Sequence, residues 1–197
     1  DHNMLVMSER ISDHLPKTEK YSPKQRLWYI RAKEVIISSG SIERPLVFGN
    51  NDTPGVMLSS AAKEYLKIYG VLVGKKPLVF TNNDSGYETA IEFKKNGIDP
   101  IILDTRKDPN SEIIQEAKDL NINIKTSYVV VAAKGYKKVN SADIAKLSDD
   151  KKNVSNIENI KCDCICVSGF WTPTIHLASQ SGNKTKFNEE IDAFIPS

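Results

Sequence analysis

Several things are scarce in this 197-residue sequence, and each scarcity excludes a class of function. No apolar run approaches the roughly 20 residues that a bilayer-spanning helix needs. The opening DHNMLVMSER also lacks the basic-then-apolar profile of a secretory signal. A soluble, cytoplasmic protein is expected, with no membrane partner. Charge of one sign is not in excess either: 27 basic against 25 acidic side chains leave a net +2. That balance gives no electrostatic footprint for nucleic acid. Cysteine is confined to Cys162, Cys164 and Cys166 in KCDCICVSG. No second Cys/His pair stands at zinc spacing, so no metal site is assigned. One-residue spacing places these cysteines on one face of a strand, badly set for disulfides with each other and suited to be small buried hydrophobes. Histidine is equally rare, and none of His2, His14 and His176 adjoins a nucleophile. His176, in TPTIHLASQSG, is read as a structural hydrogen-bonding residue. The contiguous pairs Asp149-Asp150 and Glu189-Glu190 read as solvated, without acid/base geometry. No catalytic residue is assigned.

What is present is a globular composition, 40% hydrophobic and 26% charged, enough for a packed core. The first stretch reads as a strand, a charged proline-bearing loop, a strand over QRLWYIR and a further apolar strand at Val35-Ile36-Ile37. SIERPLVFGNNDTPG has no helical period and is a connector. Ala62, Tyr65, Leu66 and Tyr69 then repeat at helical spacing, with Ser59 or Ser60 as cap and Gly70 as stop. From Lys76 the pattern becomes strand, helix, strand, helix, which implies a parallel sheet with right-handed crossovers. The two helices carry Tyr87, Ala90 and Ile91, and then Ile113, Ile114, Ala117 and Leu120. After Asn121 short β-rich pieces follow, with a turn at Lys134-Gly135, then the cysteine strand. The tail holds a short helix and an exposed end.

The motif closest to chemistry is GKKPLVFTNNDSG, residues 74–86. An apolar strand, a short polar turn and a helix are the setting of the dinucleotide fingerprint Gly-x-Gly-x-x-Gly. Here its slots read Thr81, Asn83 and Gly86. The first glycine permits the tight turn, the second brings backbone to the pyrophosphate, and the third lets helix pack on strand. Only the packing glycine remains. Ser85 and Glu88 have the spacing of a capping box. Asp104, eighteen positions after Gly86 at a strand end, stands where an acid would hold a ribose hydroxyl. An aspartate there is also a common turn starter. The fold is expected to be kept at this loop, and nucleotide binding to be lost.

Three strings together, ERPLVFGNNDTPGVMLSSAAKEYL, VFTNNDSGYETA and VSGFWTPTIHLASQSG, resemble the α subunit of heterotetrameric sarcosine oxidase, in its middle region. The resemblance implies an α/β, Rossmann-like FAD/NAD(P)-binding fold, a parallel sheet with helices plus a small β-meander. It implies the second domain of a two-dinucleotide-domain oxidoreductase plan. On that plan residues 1–49 are the last strands and turn of a truncated first domain. Residues 50–159 are the inserted second domain, and 160–197 are the returning strand and tail of the first. The family oxidises sarcosine to glycine, hydrogen peroxide and formaldehyde, the one-carbon unit passing to tetrahydrofolate. NAD belongs to the α subunit, while FAD and FMN of the parent complex are not expected on these residues. The β, γ and δ subunits are the implied partners. If NAD is contacted, Ser39, Gly40 and Ser41 from the first turn, with Ser168 and Gly169 from the returning strand, are the candidates. The plainer reading of both clusters is a strand-to-loop turn. This chain has Ser38-Ser39-Gly40 where the family pattern has Ala-Thr-Gly, and Phe170 where a second glycine is expected.

The expected function is therefore a non-catalytic, NAD-supporting scaffold region of an oxidoreductase. The alternative is a free-standing NAD-dependent oxidoreductase using the 81–86 loop and Asp104. A third reading is an interaction module presenting loops such as FGNNDTPG.

Overall fold

The computed structural model describes residues 3–155 and 157–197. His2 lies outside the described residues. By contact the chain forms two units, one holding the segment up to Ser41 together with Pro173–Ser197, the other Ile42–Thr172.

In the first unit, β1 (Met4–Arg10) and β2 (Gln25–Arg31) pair antiparallel, Met4 opposite Arg31 and Arg10 opposite Gln25. Alternation puts Leu5, Met7, Trp28 and Ile30 on one face and Met4, Val6, Leu27 and Tyr29 on the other. All eight are exposed, from 37% at Leu5 and Ile30 to 69% at Tyr29. The connecting loop is tied down by Ser12, whose hydroxyl donates to the Pro23 carbonyl at 2.8 Å. Arg10 and Gln25 converge on Asp13. Val35–Ile37 lies outside any strand among the described residues, although its residues favour extended backbone.

Next come β3 (Ser41–Glu43), the expected connector, and β4 (Val56–Leu58), which runs straight into α1 (Ser59–Tyr69). Gly70 stops that helix as expected. It sits at φ 63°, and its N–H returns to the Leu66 carbonyl. Neither serine caps the start: Leu58 holds the N-cap position, and the Glu43 carboxylate accepts the Ser60 amide at 2.8 Å. The predicted βαβα run follows as β5 (Pro77–Thr81), α2 (Ser85–Lys95), β6 (Ile101–Asp104) and α3 (Glu112–Asp119), then β7 (Asn123–Thr126). An antiparallel meander of β8 (Tyr128–Lys134), β9 (Ser141–Lys146) and β10 (Glu158–Ile160) leads to the cysteine strand β11 (Cys164–Ser168). β12 (Trp171–Pro173) pairs with β3. The first unit ends with α4 (His176–Gln180) and a hairpin of β13 (Thr185–Asn188) and β14 (Ala193–Pro196), where the sequence led us to expect an exposed end.

The sheet of the second unit runs β4-β11-β5-β6-β7, parallel throughout. Its central strands β11, β5 and β6 are buried on both faces, as parallel sheets require. Val79, Ile102, Cys164 and Cys166 face the helices with Tyr87, Ala90, Phe93 and Ile114. Leu78, Phe80, Leu103, Ile165 and Val167 face the meander with Val130, Ala142 and Ile144. Each such aliphatic or aromatic side chain contributes about 1.5–3 kcal/mol.

β11 was expected to return to the flanking domain. It lies instead between β4 and β5, and the second unit extends beyond 50–159 at both ends. It is buried on both faces, by the helices on one side and the meander on the other. Cys164 and Cys166 share the helix face, while Cys162 joins the opposite cluster. Burial pushes the Cys162 thiol up to about 12. A hydrogen bond with Cys164, then burial, pushes Cys166 well above its ordinary range. Neutral buried thiols are packing groups, since ligation and nucleophilic attack need the thiolate. No cluster of three or more metal-ligating side chains occurs among the described residues, and no helix there is long and apolar enough to cross a membrane.

Candidate functional site

Open parallel sheets bind ligands outside the carboxyl ends of the strands, where the strand order reverses. Here the chain steps from β5 to β6 and β7 on one side and later to β11 on the other. The switch point is therefore between β5 and β11. It joins the turn 81–86 to Ser168 and Gly169.

That point is filled by the protein's own polar groups. Thr81 Oγ1 donates to the Asn83 carbonyl at 2.8 Å and accepts the Asn83 amide at 3.1 Å. The Asn83 side-chain amide reaches across to the Ser168 carbonyl at 3.1 Å and its hydroxyl at 3.2 Å. The Asn82 amide also donates to the Ser168 carbonyl, at 3.3 Å. Asn83 Oδ1 accepts the Ser85 amide at 2.9 Å, so it takes the place at the start of α2 where a ligand's anionic oxygen would sit. The Trp171 indole N–H donates to the Ser85 hydroxyl at 2.8 Å. Thr81, Asn83 and Ser168 are all buried. The predicted capping box is not formed: Ser85 opens the helix, and Glu88 pairs with Lys63.

Gly86 performs the packing task assigned to it. A Cβ there would lie 2.6 Å from Thr81 Cβ and 2.7 Å from its hydroxyl. Gly169 is as tightly held: its N–H donates to the Arg44 carbonyl at 2.7 Å, and an added Cβ would lie 2.8 Å from that oxygen. Phe170 follows at φ 91°, a backbone region suited to the glycine expected there.

Asp104 is fully buried and saturated. Its carboxylate accepts the Tyr87 hydroxyl at 2.8 Å, the Arg106 amide at 2.9 Å, and the Arg106 guanidinium through Nε at 3.1 Å and Nη2 at 2.8 Å. The other guanidinium arm, Nη1, pairs with Asp84 at 2.8 Å. Burial and the Asp104 charge push the Tyr87 hydroxyl up, keeping it a neutral donor. Burial works against the Arg106 charge, but hydrogen bonds to Asp104 and Asp84 outweigh it and push its pKa up. A loop lined by Thr81 and Asn83 beside an acid with no free oxygen does not fit a dinucleotide. The sequence reading missed Tyr87, Arg106 and Trp171 as members of this network. The short spacing of Asp104 and Arg106 just past a strand was the one available signal.

Ser39–Ser41 belong to the first unit, and Ser168 and Gly169 to the second. Ser39 donates its hydroxyl to the Thr174 carbonyl at 2.6 Å, and Gly40 accepts the Thr174 amide at 2.9 Å. Gly40 has φ 67° and open space around its Cα. His14 lies beside Asp13, and His176 is exposed at the start of α4. Neither stands in the switch-point network. Two cavities lie elsewhere in the second unit. One, of about 540 Å³, opens at the amino ends of the strands beside Lys76, Ile98 and Lys161. The other, of about 830 Å³, lies beside α3 and β7.

No family model matches the chain. Along its whole length it is 33% identical, over 200 residues, to the sarcosine oxidase subunit alpha of Corynebacterium sp. (strain U-96). Over 99% of its length it is 34% identical to that of Rhizobium meliloti (strain 1021). The chain spans only 20% and 19% of these two relatives. The resemblance carried by the three strings thus extends from end to end, to a region of subunits of an oxidoreductase. Among solved structures, T. acidophilum thioredoxin reductase matches with TM-score 0.64 and 18% identity, over 82% of this chain and 53% of that one. L-proline dehydrogenase from P. horikoshii matches with TM-score 0.55 and 22% identity, over 87% and 28%. These likenesses show the fold, the α/β Rossmann-like fold of FAD/NAD(P)-binding oxidoreductases.

Proposed function

We propose that this chain is a scaffold region of a sarcosine oxidase α subunit, carrying the fold of a dinucleotide-binding domain without its ligand or any catalytic residue. The parent enzyme would oxidise sarcosine to glycine, hydrogen peroxide and formaldehyde, with the one-carbon unit passed to tetrahydrofolate. Its FAD and FMN chemistry would be carried outside these residues, and the β, γ and δ subunits would be the partners. One observation carries the reading: the switch point is closed by Thr81, Asn83 and Ser168 bonding to one another. A binding domain keeps those backbone groups open, whereas a scaffold gains by satisfying them. Any NAD contact would fall to Ser39, Gly40 and Ser41. The Ser168 carbonyl and the Gly169 amide are already engaged, which weakens their candidacy.

Calorimetric titration of NAD into the 197-residue chain tests this. The expected result is no saturable binding up to about 1 mM, a range in which ordinary cofactor sites give about −4 kcal/mol or better. Micromolar binding that disappears in Asp104→Ala would overturn the reading in favour of a free-standing NAD-dependent oxidoreductase.

A further inference from the structure

Glu43 in β3 is 4% exposed, and Ser59, the first residue of α1, is fully buried. Both belong to the second unit. One carboxylate oxygen, Oε2, accepts the Ser60 amide at 2.8 Å and holds the acid at the positive end of the helix. The other, Oε1, and the Ser59 hydroxyl have no protein hydrogen-bond partner among the described residues. The Ser60 contact brings the two orphans near each other. The carboxylate oxygens share a carbon, and Ser59 adjoins the residue whose amide that carboxylate already holds.

Buried polar atoms of this kind are paired in folded proteins, by protein or by ordered water. The Cys166 thiol beneath is fully buried and supplies no strong donor. A hard divalent cation takes six or more oxygens, and this pair of residues offers far fewer. We propose that a single ordered water molecule is bound here, donating to Glu43 Oε1 and sharing a hydrogen bond with Ser59 Oγ. It completes the tie between β3 and the start of α1. The inference is independent of the proposed function, because no cofactor or subunit enters it.

A crystal structure of the chain at about 1.5 Å resolution tests it. A density peak about 2.7–3.0 Å from both Glu43 Oε1 and Ser59 Oγ is expected. A dry site, or a direct Ser59–Glu43 hydrogen bond, overturns the proposal. An anomalous peak at this position in crystals soaked in rubidium salt also overturns it, by identifying a cation. Ser59→Ala should lose the peak and lower the melting temperature by about 3–5 °C. A peak and melting temperature unchanged in Ser59→Ala would contradict the role given to the hydroxyl.

Discussion

The two units make opposite use of similar strands. MLVM and LWYI in β1 and β2 are as apolar as LVF and CICV in β5 and β11. Yet the first set is 37–69% exposed and the second at most 3%. The difference lies in the neighbours. β5 and β11 each have a strand on both sides, three helices on one face and a meander on the other. Among the described residues β1 and β2 have only each other as strand partners. Apolarity decides what can be buried, and the number of elements alongside decides what is. A lone two-stranded ribbon is marginal in water, so the first unit should be the weaker of the two.

The largest expected effect that sharpens this contrast is at Asp104. Asp104→Ala leaves Tyr87 without its acceptor and the half-buried Arg106 with Asp84 alone, and should cost about 3 kcal/mol, toward the low end for a broken buried pair. Asp13→Ala, which removes an exposed carboxylate from the first unit, should cost far less. Each unit contains one tryptophan, Trp28 and Trp171, so denaturant titrations followed in Trp28→Phe and Trp171→Phe backgrounds read the two units separately. Equal losses would break the comparison. Gly86→Ala comes next: its Cβ would be pressed against Thr81, at a cost of about 1–3 kcal/mol in the second unit alone. At Phe170 both small replacements lose the ring, but only glycine relieves the left-handed backbone. Phe170→Gly should therefore be about 1 kcal/mol more stable than Phe170→Ala. The smallest effect belongs to the ribbon, where Val6→Thr and Tyr29→Ser should each shift stability by no more than about 0.5 kcal/mol. A loss of several kcal/mol there would show that the ribbon is packed.

Much of the second unit was legible in the sequence because its signals are local. Helical spacing, Gly70, the βαβα alternation and the packing role of Gly86 each rest on residues a few positions apart. Partnerships between distant segments were not legible. Glu43 capping α1, Asn83 reaching Ser168, and Trp171 reaching Ser85 join residues with no common local pattern. Val35–Ile37 shows the converse failure, since β-branched residues make strands only where a partner exists. The candidate residues Ser168 and Gly169 stand at the carboxyl edge of the sheet, with the Ser168 carbonyl and the Gly169 amide bonded within the protein. A Ser-Gly pair after a strand looks alike whether its polar groups await a ligand or are already bonded.

The central claim is that the switch point is closed by its own side chains. The most direct test is to follow the backbone amides of Asn82, Asn83, Ser85 and Gly169 by ¹H–¹⁵N NMR as NAD is added to the 197-residue chain. The account predicts that these resonances stay in place to about 1 mM NAD, where a site of ordinary affinity would be occupied. Saturable shifts confined to these amides would contradict it.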